Sequence, residues 1–294
     1  MTTTIVPRGP FSLRELATFG FGQRLDTSYD GVLRMAFCAD GYAAAAGVEV
    51  RQDPAGVHIE VHGDVSADAV TAQVARILSL DHDGERFLEV GQRDPVIGRL
   101  QEAAPGLRPP QFHSPYEAAA WAVLSARRPA REMARVRAAL SAAYGTEFRL
   151  AGQRLHAFPR PSALLDVSSF PGIPEVKLAR LHAVAQAAWD GRLDATRLAA
   201  MDPAVAMASV RELPGIGPFY AALIVVRACG LADVLVPNEA IAMDTIADLY
   251  GLDGPPSLTE LERIAEPWRP FRTWATVLLR AAASRLPART PSPA

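Results

Sequence analysis

Two glycines stand two positions apart where an apolar helix is expected to begin, in the run LPGIGP at residues 213–218. A tight turn of this kind exposes backbone N–H groups on one side, and the dipole of the following helix favours negative charge there. Such a turn can bind a phosphate group without a basic side chain. Ile216, between Gly215 and Gly217, would anchor the turn in the core. Taken alone, these residues are equally typical of a plain corner between two helices.

Other residues that could do chemistry are few. His58, Glu60 and His62 alternate along a predicted strand and share one face, where three such groups could bind a metal ion. A solvated sheet edge is the favoured interpretation of this face. The two cysteines, Cys38 and Cys229, are 191 positions apart and cannot form a four-thiolate zinc or iron–sulfur site.

The first part of the chain, residues 1–110, is predicted to be an α+β domain. Two valine-rich segments, 43–52 and 57–62, flank the turn sequence DPAG at residues 53–56. The second segment alternates strictly between apolar and polar residues, so the two are predicted to form a β-hairpin. This hairpin is expected to belong to an antiparallel sheet.

Two helices are predicted to follow the hairpin. Ser66 is a suitable N-cap, and apolar residues at helical spacing predict a helix over 67–80. A second, short helix is predicted over 95–103. The run APGLRPP at residues 104–110 contains the turn residues that separate domains, and it is predicted to be the domain boundary.

From Ser114 onward the strand signals vanish, and residues 111–285 are predicted to be all helical. Ser114 and Glu117 have the spacing of a capping box, with Pro115 at the first helical position. The tail 286–294 is predicted to be disordered. The predicted helices span residues 115–126, 129–144, 160–167, 174–190, 195–200, 203–211, 218–229, 239–250, 257–265 and 270–285.

The composition is that of a globular protein of two or three domains. The chain has 294 residues and a mass of 31.5 kDa, with 49% apolar and 21% charged residues. It contains no long uninterrupted apolar run and no cationic leader followed by an apolar stretch, so neither a transmembrane helix nor secretion is predicted. A soluble, cytoplasmic, monomeric protein without a membrane partner is expected.

Charge is distributed unevenly along the chain. The net charge of −2 argues against a general polyanion-binding protein. Residues 1–110 carry 10 basic and 15 acidic side chains, whereas residues 111–294 carry 20 basic and 17 acidic ones. Any nucleic-acid surface is therefore expected in the second part.

The hairpin and its surroundings resemble the helix–hairpin–helix signature of the base-excision DNA glycosylase superfamily. The resemblance starts with LPGIGPFYAALIVVRACGLADVLVPNEA and extends over about residues 10–285. The order of segments, closed by EPWRPFRTWATVLLRAA, is similar to that of the bacterial inducible 3-methyladenine DNA glycosylases. The resemblance implies an α+β fold, in which an N-terminal antiparallel sheet domain precedes a two-lobed helical region with a cleft.

The resemblance also implies a catalytic carboxylate on the helix that follows the hairpin helix. Relatives carry an aspartate just beyond a proline, facing a pocket for a flipped-out base, where it stabilises the oxocarbenium-like sugar and orients water. The matching residue here is Glu239, after Pro237 and Asn238. Asn238 is also a good N-cap, and a carboxylate in a first helical turn is stabilising without catalysis. Asp244 is the alternative candidate for the catalytic carboxylate.

The family pattern further assigns residues that contact DNA. These are the hairpin residues Leu213, Gly215, Ile216 and Gly217, together with Tyr220 and Arg127. Arg127 follows the first large helix, where relatives wedge a side chain into the duplex; it could fill the vacated base site, grip phosphate, or remain a solvated helix-end arginine.

A base pocket is implied as well. The matching residues are Phe219, Tyr220, Leu223 and Arg280. Relatives line this pocket with aromatic rings that stack on electron-poor bases. Leu223 and Arg280 depart from that pattern, and an arginine in a pocket for cationic bases would be repulsive. Arg280 could instead face solvent or mark a different substrate.

Two subclasses of the superfamily are excluded. Bifunctional members use a lysine at the start of the hairpin helix, where this chain has Pro218. Members with an iron–sulfur cluster need four cysteines near the C-terminus, and this chain has none after Cys229.

The resemblance therefore implies a monofunctional glycosylase that excises damaged, alkylated bases from double-stranded DNA. It needs no cofactor, although a monovalent cation held by hairpin carbonyls is compatible with the family. The alternative is a catalytically degenerate paralogue that only binds DNA.

Overall fold

A computed structural model describes residues 2–19, 28–236 and 240–286. Four strands form an antiparallel sheet in the order β1-β4-β3-β2. These strands are β1 (Thr2–Ile5), β2 (Leu33–Cys38), β3 (Ala45–Asp53) and β4 (Gly56–His62). The predicted hairpin is confirmed as β3 and β4, with Asp53 paired to Gly56 at its turn and Val50 paired to Ile59.

Helices make up most of the remaining chain. Each helix predicted after Ser114 is confirmed, with shifts of at most three residues at either end. The helices are α1 (Leu13–Thr18), α2 (Ala67–Ile77), α3 (Gly84–Arg93), α4 (Pro95–Ala103), α5 (Pro115–Ser125), α6 (Ala130–Tyr144), α7 (Pro161–Leu165), α8 (Glu175–Trp189), α9 (Ala195–Ala199), α10 (Pro203–Arg211), α11 (Pro218–Ala228), α12 (Ala240–Tyr250), α13 (Leu258–Ala265) and α14 (Arg272–Ala282). The fold class is α+β, as predicted.

The apolar residues form three main clusters. The sheet shares one with α1 and α2. A second cluster joins α5, α8, α10 and α11. The third joins α12, α13 and α14 with α3 and α4, so helices that precede residue 110 complete a core built mainly by the end of the chain. The predicted domain boundary at residue 110 does not coincide with this packing, because Ile97 and Leu100 are buried against the last helices rather than against the sheet.

A second, two-stranded sheet contradicts the expectation that strands end before Ser114. It consists of β5 (Glu147–Leu150) and β6 (Gln153–His156). The ring of Phe148 lies against Gly47 of β3, where a Cβ atom would come within 2.6 Å of the ring. Arg34 Nε of β2 also donates to the carbonyl of Leu150 at 3.1 Å. Four-residue strands are too short to show alternation, so the sequence pattern did not reveal them.

The predicted capping box at the start of α5 is only half formed. Ser114 caps the helix, and its hydroxyl accepts from the amide of Glu117 at 3.2 Å. The carboxylate of Glu117 turns inward instead and is fully buried. It accepts from the Cys38 amide at 3.0 Å and from Arg137 at 2.6 Å, and it lies 3.1 Å from His113 Nδ1. Glu117 therefore joins α5 to the end of β2 and to α6.

This buried carboxylate predicts acid sensitivity. Burial works to raise the pKa of Glu117, but His113, Arg137 and the Cys38 amide together hold that pKa below its ordinary value. A lowered pKa stabilises the fold above the unfolded-state pKa of about 4.3, and this stability is lost as pH falls through the folded-state pKa. We expect the free energy of unfolding to fall steeply below about pH 4.5.

Glu117→Gln tests this expectation through urea unfolding at a series of pH values. The variant should be less stable at pH 7 and should lose less stability on acidification than the wild type. Parallel pH profiles for the two proteins would contradict the assignment.

Two negative findings apply to the part of the chain that the structure describes. No helix there is both long and apolar enough to cross a membrane. Within the same ranges, no group of three His, Cys, Asp or Glu side chains is arranged to hold a metal ion. His58 instead lies 2.9 Å from Asp53, and His62 lies 3.6 Å from Glu49.

Candidate nucleic-acid interface

The hairpin at residues 213–218 is a tight turn anchored at two points. Leu213 and Ile216 are both buried in the cluster of α5, α8, α10 and α11, as expected for Ile216. The Ile216 amide donates to the Leu213 carbonyl at 3.1 Å, which closes the turn. Gly215 has a φ of +88°, a left-handed conformation that favours glycine. The turn is therefore fixed by its two apolar anchors and by one glycine.

The second glycine has a different role. Gly217 is the N-cap of α11 with φ −87° and ψ 176°, an extended conformation that any residue adopts. A Cβ atom built there would meet nothing within 4 Å. Neither the Gly215 amide nor the Gly217 amide donates to any residue that the structure describes. Gly217 thus leaves open space in front of donors at a helix N-terminus, the arrangement that suits an anion.

A basic side chain lies against the hairpin, although the hairpin itself contains none. Arg180 of α8 packs on Gly215, where a Cβ atom would come within 2.9 Å of Arg180 Cδ and 3.2 Å of its Nε. The hairpin itself thus contributes no basic side chain, and α8 places one beside it. No local sequence pattern indicates this contact, because Arg180 is 35 positions from Gly215 and only tertiary packing brings them together.

The turn after α5 lies near the same basic residues. Lys177, one turn before Arg180 on α8, donates to the carbonyls of Leu124 at 2.6 Å and Ala126 at 3.0 Å. Burial, followed by the charges of Arg128 and Arg180, lowers the pKa of Lys177. The only lysine of the chain therefore ties the C-terminal end of α5 to α8, beside two arginines.

Arg127 occupies this turn in a strained conformation. Its φ is +55°, a left-handed value that costs a residue with a side chain about 1 kcal/mol or more. The side chain is exposed and makes no hydrogen bond or ion pair with any described residue, whereas its neighbour Arg128 pairs with Glu132. The turn thus presents to solvent one arginine that has no described partner, Arg127, at the place where the family resemblance puts a DNA contact.

A cavity of about 40 Å³ lies between α11 and α14. Three of the four residues predicted for the base pocket line it: Phe219, Leu223 and Arg280. Phe219 is 41% exposed, and Arg280 is exposed at the end of its helix. The fourth, Tyr220, does not line this cavity. Its hydroxyl lies 3.2 Å from the hydroxyl of Ser125, so it links the hairpin helix to the end of α5.

The chain that leaves α11 is held against the start of α14. The Thr273 amide donates to the Ala232 carbonyl at 2.9 Å, and the Thr273 hydroxyl accepts from the Val234 amide at 3.0 Å. Asp233 accepts from Arg272 Nε at 2.8 Å. These contacts fix the segment that forms one wall of the cavity.

The two candidate carboxylates differ in what the structure shows of them. Glu239, with Pro237 and Asn238, lies outside the described residues. Asp244 is exposed on α12 and is not among the residues that line the cavity. The structure therefore brings together the hairpin, the turn at Arg127 and three of the pocket residues, with a basic surface between the first two.

Comparison with known proteins agrees with this architecture. The chain is 30% identical over 210 residues to the Mycobacterium tuberculosis relative named bifunctional transcriptional activator/DNA repair enzyme AlkA, covering 70% of this chain and 41% of that one. It is 28% identical over 186 residues to DNA-3-methyladenine glycosylase 2 of Escherichia coli, covering 61% of this chain and 62% of the relative. The chain thus spans less than two thirds of either relative. No protein-family profile matches it.

The fold comparison covers nearly the whole chain. The structure of the 3-methyladenine DNA glycosylase from Archaeoglobus fulgidus superposes with a TM-score of 0.73 at 20% identity, covering 97% of this chain and 98% of that one. The protein therefore has the fold of the helix–hairpin–helix DNA glycosylase superfamily. Within it, the chain resembles the DNA-3-methyladenine glycosylase subgroup, as its sequence predicted.

Proposed function

We propose that the protein is a monofunctional DNA N-glycosylase that excises damaged, alkylated bases from double-stranded DNA. The observation that carries this proposal is that α11 contributes to both candidate sites. At its N-terminus lies the hairpin, in which two backbone amides donate to no described residue. Along its side, Phe219 and Leu223 line the cavity. One rigid helix therefore relates a phosphate-binding turn to a place for a base.

Binding is proposed to begin at the phosphate backbone. The hairpin amides hold a phosphate on one side of the damaged nucleotide, and the exposed Arg127 enters or grips the duplex on the other. The base then rotates out of the stack towards the cavity. A volume of about 40 Å³ is far smaller than ligand pockets of about 300–1,000 Å³, so the proposal includes a rearrangement of lining side chains that admits the base.

The chemical step is assigned to Glu239 by the family resemblance. The bond between sugar and base breaks, and the base leaves with the electron pair. An alkylated purine cation becomes neutral on leaving and needs little acid catalysis. The carboxylate stabilises the positive charge that develops on the sugar, and water adds to the sugar while it passes a proton to the carboxylate. This reaction uses no redox cofactor, and the monovalent cation implied for the hairpin carbonyls stays a prediction.

The two hairpin glycines give a direct test of DNA binding at this site. Gly217→Val should fold normally, because the position is extended and open, yet its side chain should block approach to the amides. We expect about a tenfold loss of affinity for damaged and undamaged duplex alike, since phosphate contacts carry no sequence information. Fluorescence anisotropy at fixed salt measures the effect.

Gly254 provides the matched control for this test. It lies in the loop between α12 and α13, and a Cβ atom there also meets nothing within 4 Å. Gly254→Val should bind duplex like the wild type. Gly215→Val is expected to destabilise the fold, because φ is +88° and the new side chain would displace Arg180. A folded Gly217→Val protein with unchanged affinity would show that the hairpin is not the DNA site.

A further inference from the structure

The side chain of Arg180 is placed as a ligand group rather than as a structural one. It is half-buried, packed on Gly215, and makes no hydrogen bond or ion pair with a described residue. Most arginines with this degree of burial in the chain do have partners: Arg34 binds Asp30, and Arg76 binds Asp40. Arg180 is thus held in place by packing while its guanidinium donors stay available.

The charges around Arg180 favour an anion. Lys177 and Arg128 are the nearby basic groups; burial first, and then the charges of Arg128 and Arg180, lower the pKa of Lys177. The carboxylates closest in sequence to the two turns already have partners. Glu132 pairs with Arg128, and Glu212 pairs with Arg192 at 2.7 Å. Arg128 is therefore neutralised by Glu132, whereas neither Lys177 nor Arg180 forms an ion pair with a described carboxylate.

The partner that fits is a phosphodiester of duplex DNA. An oxygen in the open space before Gly217 can accept from the hairpin amides while the guanidinium of Arg180 approaches a second oxygen. Arginine suits this role because its planar donors match two phosphate oxygens at once. The hairpin amides position a phosphate but carry only partial positive charges. Arg180 adds the full positive charge that the hairpin sequence lacks.

We propose that Arg180 is a phosphate-binding residue of the hairpin site, and that the hairpin therefore binds DNA through a side chain of α8 as well as through its own amides. This proposal rests on the proposed function, because it assigns a further contact to the same DNA-binding surface. It also gives the site a measurable ionic character: each neutralised phosphate adds about 0.9 to the slope of log affinity against log salt.

Arg180→Gln tests the proposal by its effect on that slope. The affinity of the variant for undamaged and alkylated duplex should fall by about three- to tenfold near physiological salt, and the slope should decrease in magnitude by about 0.9. Arg180→Lys should keep most of the slope because it keeps the charge. Arg99→Gln is the matched control, since Arg99 is exposed on α4, away from the hairpin's core cluster, and its loss changes the net charge equally.

The outcomes separate this proposal from the function on which it rests. If Arg180→Gln and Arg99→Gln show the same affinity and slope, Arg180 does not bind phosphate, while duplex binding and base release by the wild type would still support a glycosylase. If the wild type shows no affinity for duplex, both proposals fail. If Arg180→Gln weakens only the binding of alkylated duplex, the residue acts on the damaged base and the phosphate assignment is wrong.

Discussion

Glu239→Gln is expected to abolish the release of methylated purines while leaving duplex binding nearly unchanged. The substitution keeps the size of the side chain and removes only the charge that the family resemblance places beside the developing sugar cation. A preorganised charge in a partly dry site contributes about 3 kcal/mol to transition-state stabilisation, which corresponds to a loss of at least about a hundredfold in rate. Duplex binding depends on phosphate contacts elsewhere, so the affinity for duplex should stay the same while the rate of base release falls.

Asp244→Asn is the control for this prediction. Asp244 is exposed on α12 and does not line the cavity, so its loss should leave base release close to the wild-type rate. The measurement is single-turnover release of free base from alkylated duplex, with anisotropy on the same preparations. If Glu239→Gln releases base as fast as the wild type, the assigned carboxylate is wrong and Asp244 becomes the next candidate.

Arg108→Ala is expected to cause the largest loss of stability. The side chain is 1% exposed and has no described carboxylate in hydrogen-bond contact. It donates instead to carbonyls of two separated parts of the chain: Pro10 at 3.1 Å near the N-terminus, and Ser79 at 3.0 Å and His82 at 3.0 Å between α2 and α3. Burial lowers the pKa of Arg108 to about 10, and the guanidinium remains charged at neutral pH.

Removal of this side chain leaves buried carbonyls without donors and opens a large cavity. A loss of about 3–5 kcal/mol in the free energy of unfolding is expected. Arg108→Lys should recover only part of it, because one ammonium group cannot reach all of these carbonyls. Urea unfolding measures the effect, with Arg99→Ala as the control at an exposed site. A change below about 1 kcal/mol for Arg108→Ala would mean that Arg108 does not hold these segments together.

Helices were predicted from sequence with good accuracy because their ends carry strong local signals. Both α4 and α10 were predicted at their observed bounds, and each starts with proline after an aspartate whose side chain caps the helix. Proline fixes the first helical residue, and the aspartate satisfies amides that would otherwise be unpaired. The β3–β4 hairpin was predicted for a similar reason, since its turn sequence and the alternation beside it lie within a few residues.

Features that depend on distant parts of the chain were missed. The buried carboxylate of Glu117 was expected to close a capping box, and the contact of Arg180 with Gly215 was not foreseen. In each case the local sequence is compatible with two side-chain positions, and tertiary packing determines which one the side chain takes. Phe219, Leu223 and Arg280 line one cavity, and only the family resemblance predicted that they lie together. No local pattern could predict it, because α14 lies far along the chain from α11.

The rate of base release by the wild type, compared with that of Glu239→Asp, is the most direct test of the proposed function. Both proteins are incubated in excess with duplex DNA that contains methylated purines, and the free bases are quantified. We predict that the wild type releases base, and that Glu239→Asp matches or exceeds it, because the shorter carboxylate restores the residue that relatives carry. If the wild type releases nothing while Glu239→Asp does, the protein is a DNA-binding relative that has lost catalysis, and the glycosylase assignment is contradicted.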